Sequence, residues 1–366
     1  MQDKYKKQGS KNGKRPLSEG VEEGWHQKRI RVYKDELEVV NNLRRIRNEA
    51  IDNGLDPKDV KHGWIKNDNS SLFFKNPNFN NAQENQDKFV KDLVNSLKEH
   101  SPNYPTIKRV KSKDGHLLVI DPADVHVGKL CTVFETGKAY DSQIAVQRCL
   151  DGVDGILNKS NGFNIDKIVF IGGNDILHVD NAKNTTTSGT YQDASGMWYE
   201  NFMFAKQLYV DILEKLVGIA DVSFVFNPSN HDYTNGFFLA NVIETHFRNC
   251  KNITFDCSIS HRKYFSYGNS LIGTTHGDGA KQTDLGSLMS IECKKEWGTA
   301  EHRYFYTHHI HHKTAKDFIN VTVESLRSPS PADSWHHRNG YVNTPAIEGF
   351  IHSKEKGQVA RLTNYF

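Results

Sequence analysis

Four histidines fall within five consecutive residues at the end of an apolar, aromatic segment, RYFYTHHIHHK at residues 303–313. Imidazole nitrogen is a common protein ligand for transition-metal ions. In an extended segment, side chains two residues apart point to the same side of the chain. We therefore expect His309 and His311 to face a common site, where each binds one of two adjacent metal ions. His308 and His312 would point the other way.

Residues with metal-binding side chains also follow four earlier apolar segments, HLLVID, KIVFIGG, VSFVFN and SLIG. They are Asp124 and His126, Asp175 and His178, Asn230, His231 and Asp232, and His276. Taken singly, each group has an ordinary structural explanation, such as a turn aspartate, a helix cap or a surface histidine. Their recurrence at five successive strand ends favours one shared site.

The elements that must position these residues alternate along the chain after about residue 105. Short apolar strands such as HLLVID and KIVFIGG are separated by amphipathic helical segments such as IAVQRCLDGVDGILN. Such alternation predicts an α/β domain with largely parallel sheets, in which ligands bind beyond the carboxyl ends of the strands. FSYGNSLIG is typical of a hairpin, and DFINVTVESL and AIEGFIH add strands. The sheets are therefore predicted to be mixed.

Three regions are predicted along the chain. Residues 1–25 are basic and polar with almost no apolar side chains, which predicts a disordered arm. Residues 26–105 are predicted to form a small helical N-terminal module, with helices over 33–53 and 85–100 joined by the aromatic segment WIKNDNSSLFF. The prolines of SPNYP place a boundary near residue 105. Residues 106–366 then form the main domain.

Composition excludes several classes of protein. No apolar run approaches the roughly 18 residues of a membrane helix, and the first residues lack the apolar region of a signal peptide. We therefore expect a cytoplasmic protein without a membrane segment. The five cysteines are scattered without a CxxC pair, which favours reduced thiols over disulfides or a cysteine zinc site. A net charge of +3 permits an anionic partner but does not require one.

The donor types predict the chemistry of the site. Carboxylate, imidazole and amide donors without thiolates suit Mn²⁺, Fe²⁺ or Zn²⁺. Two such ions roughly 3.5–4 Å apart can clamp a phosphoryl group and lower the pKa of a bound water, provided that one carboxylate bridges them. The sequence therefore predicts a binuclear centre that hydrolyses a phosphoester.

The motifs resemble those of the calcineurin-like metallophosphoesterases, whose pattern is DxH, GDxx(D/H), GNH(D/E), a later histidine and GHxH. The resemblance covers about residues 115–325 and includes every motif in order. ADVHVG and NDILH look most like the double-strand-break-repair exonuclease branch, and the chain is also similar to phage-encoded exonuclease-like phosphoesterases. The resemblance implies an α/β (α+β) fold, a metallophosphoesterase-type four-layer sandwich with two mixed sheets flanked by helices.

The resemblance also implies a role for each site residue. Metal one would take Asp124, His126 and His311, metal two would take Asn230, His276 and His309, and Asp175 would bridge them. The implied ions are two Mn²⁺, with Fe²⁺ or Zn²⁺ as alternatives. His231 corresponds to the histidine near the scissile phosphate, as general acid or transition-state donor, and Asp232 would orient it. His178 would contact or position the phosphate, or else be a structural histidine.

Three positions depart from the glycines of the family pattern. Asn174 is inserted after the glycine pair of the second motif, and Ser229 and His308 replace glycine in two later motifs. Glycine serves such turns by accepting positive φ, and Asn and His tolerate that region next best. Asp121 offers a competing start for the first motif but has no histidine two residues further on, so Asp124 is preferred.

A DNA nuclease is the preferred function, because of His178, the ADVHVG motif and the extra N-terminal module. The alternatives are a nucleotide or small-molecule phosphoesterase and a non-catalytic nucleic-acid-binding protein. DNA is preferred to RNA as the substrate, a phage origin with action in the host cytoplasm is compatible with the resemblance, and a homo-oligomer is left open. A partner ATPase is not expected, because little chain follows the last motif.

Two further segments are uncertain in role. The polar loop NTTTSGT, with Tyr191 and Trp198, either touches substrate at the mouth of the site or is an ordinary loop. The segment WHHRNG near residue 335 has a Trp, two His and an Arg that could contact phosphate, but a surface turn is the preferred interpretation.

Overall fold

The computed structural model describes residues 62–67, 70–75, 91, 102–110 and 112–366. The chain divides into two compact units, Met1–Asp87 and Lys88–Phe366. In the first unit, strands β1 (His62–Asn67) and β2 (Ser70–Lys75) pair antiparallel within the segment expected to join two helices. The predicted arm over 1–25 and the helix over 33–53 lie outside the described residues, as does the helix over 85–100 apart from residue 91. The boundary near residue 105 stays a prediction.

The described part of the second unit contains the strands and helices of the main domain. The strands are β3 (His116–Asp121), β4 (Ile165–Gly173), β5 (Asp221–Asn227), β6 (Ile253–Asp256), β7 (Lys263–Tyr267), β8 (Ser270–Thr275), β9 (His302–Thr307), β10 (Thr314–Phe318), β11 (Val321–Ser325), β12 (Ala346–Ser353) and β13 (Gly357–Tyr365). The helices are α1 (Val133–Thr136), α2 (Ser142–Lys159), α3 (Trp198–Ile219), α4 (Tyr233–His246), α5 (Leu285–Glu292), α6 (Lys294–Thr299) and α7 (Ser334–Arg338). The strands and helices that the apolar patterns predict after residue 105 are present at these positions.

Both large sheets are mixed, as predicted. The six-stranded sheet has the order β13-β12-β3-β4-β5-β6, and β3 to β6 run parallel while β12 and β13 run antiparallel to their neighbours. The five-stranded sheet has the order β10-β11-β9-β8-β7, with β8, β9 and β11 parallel. The hairpin predicted from FSYGNSLIG is the antiparallel pair β7 and β8.

Alternation along β3 shows how the layers form. Leu118 and Ile120 enter the core between the six-stranded sheet and helices α2, α3 and α4. Leu117 and Val119 point to the opposite face and enter the core between the two sheets. Burying one such side chain contributes about 1.5–3 kcal/mol, so both faces of β3 stabilise the fold. A third core joins the five-stranded sheet to α5 and α6. The predicted four-layer sandwich of two mixed sheets flanked by helices is confirmed.

This topology brings the polar strand ends together. β3, β4 and β5 are parallel neighbours, and so are β8 and β9, so the loops after these five strands leave the sheets at their carboxyl ends. The loops are tied to one another by backbone hydrogen bonds, including Asp124 N to Asn174 O at 2.9 Å and His308 N to His276 O at 2.8 Å. All of the predicted ligands lie in these loops.

Two other sequence predictions have structural outcomes. All five cysteines lie in the described part of the chain, and none is paired with another. Over the described ranges, no helix has the length and apolar content needed to cross a membrane.

Candidate metal centre

Asp124, His126 and His311 form the first group of metal-binding side chains. One donor atom from each lies within 4.8 Å of the others. The Nε2 atoms of His126 and His311 are 3.2 Å apart, and Nε2 of His311 is 3.5 Å from Oδ1 of Asp124. Asp124 and His126 come from the loop after β3 and His311 from the loop after β9, so the group joins the two sheets.

Asp175, His276 and His309 form the second group, again with donor atoms within 4.8 Å of one another. Nε2 of His276 is 3.2 Å from Oδ2 of Asp175 and 2.9 Å from Oδ1 of Asn230. The resemblance implies the same division of these residues between metal one and metal two, with Asn230 added to metal two, and that assignment stays a prediction. The bridging role of Asp175 stays a prediction, because its Oδ2 belongs to the second group and its Oδ1 accepts a hydrogen bond from His231 N at 2.9 Å.

The spacing of these atoms fits a metal ion. Two nitrogen or oxygen ligands bound at about 2.0–2.2 Å to one tetrahedral or octahedral ion lie roughly 2.8–3.6 Å apart. Four separations fall in that range: 3.2 and 3.5 Å in the first group, 3.2 Å between Asp175 and His276 in the second, and 2.9 Å between His276 and the neighbouring Asn230. The residues present therefore fit divalent metal binding through carboxylate, imidazole and amide donors.

Burial and charge prepare these side chains for a cation. Burial raises the pKa of Asp175, but the charges and hydrogen bonds of its histidine neighbours outweigh burial and hold that pKa below its usual range. Burial lowers the pKa of His276, but the charge and hydrogen bond of Asp175 have a larger opposite effect and raise that pKa to about 9. Burial also holds the pKa of His126 well below its usual value. Ligands bind metals as carboxylate and neutral imidazole, so a metal ion would replace the proton on His276.

Backbone strain is concentrated at the same residues. The non-glycine residues with positive φ among the described residues are Asp124 (51°), His126 (50°), Asn174 (52°), Asp175 (57°), Asn184 (55°), His309 (71°), His311 (57°) and Asn320 (67°). Five of these are predicted metal ligands. Each such conformation costs on the order of 1–3 kcal/mol and persists only where the surrounding structure enforces it, which is typical of functional sites.

The HIH segment differs from the sequence expectation in its geometry. His309 and His311 belong to different ligand groups, as expected, but both have positive φ and follow the end of β9 at Thr307. The segment is a turn and not an extended strand. The alternation of side chains along a strand therefore does not explain why His309 and His311 reach different ligand groups. His308 does point away from the cavity, whereas the exposed His312 lines it.

His178 and His231 lie directly beside the first group. Together with His126 they form a third set of donor atoms within 4.8 Å of one another. The His231 ring stacks on His178 with a centroid separation of 5.3 Å and an angle of 24°. Nδ1 of His231 donates to the carbonyl oxygen of His178 at 2.9 Å, which leaves Nε2 as the ring nitrogen that can act on a ligand. Burial holds the pKa of His178 well below its usual value, so His178 is neutral.

The structure corrects the role predicted for Asp232. Its carboxylate accepts hydrogen bonds from Ser229 Oγ at 2.7 Å and from Leu177 N at 2.9 Å, and the group that orients the His231 ring is the His178 carbonyl. Asp232 is buried, and burial raises its pKa to about 8. Its side chain therefore joins the loop after β4 to the loop after β5, and orients His231 only through that scaffold.

The three departures from glycine have different outcomes. Asn174 has positive φ, as expected, but neither Ser229 nor His308 does. Ser229 Oγ instead accepts from Asp175 N at 2.7 Å and donates to Asp232. His308 is buried, with Nε2 at 2.9 Å from the Asp121 carboxylate and Nδ1 at 2.9 Å from a backbone carbonyl. The side chains that replace glycine thus hold the site loops in place.

A cavity of about 660 Å³ opens onto the ligand groups. One wall is the loop over residues 186–193, which includes Tyr191, whereas Trp198 begins α3 and is not among the lining residues. The other wall is the segment 332–343, which includes Trp335, His336 and Tyr341. The segment WHHRNG lies largely on the surface, as expected, but its first four residues belong to α7. Trp335 and His336 line the cavity, because β12 pairs with β3 and carries the segment there.

Two residues of this wall escaped the sequence reasoning. Lys129 is buried, and its Nζ lies 3.2 Å from Oδ2 of Asp333. Lys129 follows the first ligand motif by three residues, and Asp333 precedes the tryptophan and the two histidines of α7. The cluster of aromatic and imidazole side chains in α7 could have indicated a functional segment. Its distance along the chain from the ligand motifs gave no reason to expect the contact between Lys129 and Asp333.

No family model matches this chain, and no curated protein matches it. It is similar to a solved archaeal phosphodiesterase, at 10% identity over 69% of this chain and 99% of the other, with a TM-score of 0.30. A predicted phosphoesterase from Streptococcus pneumoniae has 12% identity over 69% and 98%, with a TM-score of 0.27. Vps29 from Entamoeba histolytica, solved with Zn²⁺, has 13% identity over 68% and 98%, with a TM-score of 0.29.

Proposed function

We propose that this protein is a calcineurin-like metallophosphoesterase of the exonuclease type, which hydrolyses phosphodiester bonds of DNA with two divalent metal ions. The observation that carries the proposal is the presence of the Asp124–His126–His311 and Asp175–His276–His309 groups at one cavity, which His126, His311, Asp175 and His309 line directly. Spacing, charge and backbone strain all support a pair of cations at that position. The motif order in the sequence supports the reaction class.

Two bound ions would supply a clamp for the phosphoryl group and would lower the pKa of a bound water. The residues of the chain supply positioning and proton transfer. His231 is fixed by its own Nδ1 and by its backbone N, which donates to Asp175. Its Nε2, when protonated, can give a proton to the leaving oxygen. His178 also lines the cavity and is placed to contact a phosphate oxygen.

Mn²⁺ is the proposed ion, with Fe²⁺ or Zn²⁺ as alternatives, because the donors include carboxylates and an amide and no thiolate. The proposed substrate is DNA in preference to RNA, and the proposed place of action is the cytoplasm, including that of a phage-infected host. No partner ATPase is part of the proposal, and a homo-oligomer is left open.

A nucleotide or small-molecule phosphoesterase is the second candidate, and the cavity favours it. A volume of about 660 Å³ lies within the range of roughly 300–1,000 Å³ that is typical of small-ligand pockets. The same ligand groups would serve both reactions. A non-catalytic nucleic-acid-binding protein is the third candidate and is disfavoured, because the two ligand groups are complete.

The test is a Mn²⁺-dependent digestion of end-labelled single-stranded and double-stranded DNA, resolved by product length, with mononucleotides and RNA in parallel. We expect DNA cleavage that a chelator abolishes and that Asp124→Asn reduces by at least 100-fold. Asp284→Asn, which changes an exposed carboxylate outside the cavity, is the matched control. Hydrolysis of nucleotides without cleavage of DNA would replace the proposal by the second candidate. Metal binding without hydrolysis of either would favour the third.

A further inference from the structure

Two large aromatic rings are exposed on the cavity wall beside the metal centre. Trp335 is 61% exposed and Tyr341 is 50% exposed. Their rings stack on each other with a centroid separation of 5.7 Å and an interplanar angle of 22°. Leaving such rings in water forgoes the stabilisation that burial would provide. A pair of exposed rings held parallel within a cavity is therefore a candidate binding surface, which we call the aromatic pair.

Hydrogen bonds and an ion pair hold the segment that carries the aromatic pair in place. Oδ1 of Asp333 accepts hydrogen bonds from His336 N at 2.9 Å and from His336 Nδ1 at 2.6 Å, which caps the short helix α7. The buried Lys129 pairs with Asp333 and also donates to the carbonyl oxygen of Pro331 at 2.9 Å. Since Lys129 belongs to the loop that carries the first ligand motif, the helix is anchored to the metal centre itself.

Ring contacts connect the aromatic pair to a metal ligand. The His336 ring stacks on His311 with a centroid separation of 5.4 Å and an angle of 16°. Trp335 meets His336 edge-on with a centroid separation of 5.1 Å, and the Tyr341 centroid lies 6.1 Å from that of His336. A phosphate at the metal centre would thus have the aromatic pair within about the reach of one nucleotide.

We propose that Trp335 and Tyr341 form a stacking subsite for a nucleobase, namely the base next to the phosphate that is cleaved. The proposal rests on the proposed function, and it specifies the substrate as a strand with an unpaired base at that position. Aromatic faces stack on every base, so the subsite holds a strand without reading its sequence. The base must be unstacked from its duplex partner to reach the rings, which favours single-stranded DNA or a frayed end.

The test measures binding, so that it does not depend on hydrolysis. Fluorescence anisotropy of a labelled single-stranded oligonucleotide, in low salt with a chelator, is compared with a series in which one base at a time is removed. For the wild-type protein we expect one position, or two adjacent positions, at which loss of the base weakens binding by about 5- to 100-fold. Trp335→Ala should weaken binding of the intact strand by a similar factor. In this variant, removal of the same base should cause no further loss of binding.

The controls separate stacking from structure. Trp335→Phe keeps an aromatic face and should bind close to wild type, and Tyr341→Ala should repeat the Trp335→Ala result in part. Phe238→Ala removes a ring that is 54% exposed on α4, outside the cavity, and should change nothing. If removal of the base leaves binding by the wild-type protein unchanged at every position, the proposed subsite is wrong. This result needs no variant, so it holds even if the alanine variants do not fold. The proposed subsite is also wrong if Trp335→Ala weakens binding of a fully abasic strand by the same factor as binding of the intact strand. Failure of the wild type to cleave any phosphodiester, with base-dependent binding preserved, would instead reject the nuclease proposal alone.

Discussion

His231→Ala tests whether metal binding and chemistry are carried by different residues of this cavity. His231 follows the ligand Asn230 directly, yet its ring nitrogen Nδ1 is already occupied by the His178 carbonyl at 2.9 Å. Its remaining nitrogen is the one that can act on substrate. The rival interpretation is that His231 is itself a ligand, because its donor atom lies within 4.8 Å of those of His126 and His178.

The structure sets the size of the expected effects. The substitution removes one hydrogen bond, worth about 0.5–1.5 kcal/mol, from a ring that is only partly buried. This is small beside the roughly 5–15 kcal/mol by which a typical domain is stable, so the fold should persist. A positioned general acid contributes about 10²- to 10⁴-fold in rate, or roughly 2.7–5.4 kcal/mol of transition-state stabilisation. We therefore expect a large loss of turnover with two ions still bound.

The assay combines metal content and turnover on the same sample. Metal analysis by mass spectrometry gives the number of ions per chain, and hydrolysis is followed on DNA and on a p-nitrophenyl phosphodiester. The nitrophenolate leaves without much help from an acid, so its rate should fall less than the rate on DNA. His261→Ala is the matched control, because it removes an exposed imidazole that stacks on Tyr233 outside the cavity.

Either of two results would refute the reasoning. Loss of an ion from His231→Ala would show that His231 is a metal ligand and that the site assignment is wrong. Near wild-type cleavage of DNA with both ions bound would reject the role of His231 as acid. His178 would then be the leading candidate, because it lines the same cavity and stacks on the same ring.

Three other substitutions test the ligands and their support. Asp175→Asn should lower the occupancy of both ions in metal analysis, since a bridging ligand is shared; loss of only one ion would show that the bridge is misassigned. Asp121→Ala should destabilise the protein by about 1–3 kcal/mol in denaturant unfolding, because it leaves Nε2 of the buried His308 without its carboxylate partner; unchanged stability would show that this contact does not support the fold. Gly173→Ala should cost at least about 1 kcal/mol, because φ is +78° there and the added Cβ would press on the carbonyl oxygen of Asn227; unchanged stability would contradict the strained turn before the second motif.

Much of the fold and of the ligand set follows from local features of the sequence. The apolar run HLLVID is buried on both faces as β3, and its length and β-branched content already identify a central strand. The polar residues after each strand identify the ligands, because parallel strands must end at the same edge of a sheet. For this reason Asp124, His126 and His311 could be named as candidate ligands before their distances were known, whereas their assignment to one ion is what the resemblance to the metallophosphoesterases implies.

What the sequence could not determine are contacts between segments that are distant along the chain. The pairing of Asp232 with Leu177 and of His308 with Asp121 depends on how the loops pack, and local patterns do not encode such packing. The turn after β9, and not strand alternation, directs His309 and His311 to different ligand groups.

The aromatic wall is the clearest case. The segment around Trp335 is a polar, histidine-containing stretch between two strands, and by itself it resembles an ordinary turn. It reaches the metal centre because β12 hydrogen-bonds antiparallel to β3, more than 200 residues away in the chain, and because Lys129 pairs with Asp333. The sequence by itself therefore determined the class of sheet and which side chains can bind metal. Only the tertiary structure decided what stands beside the metal, since that depends on long-range strand pairing and buried charge.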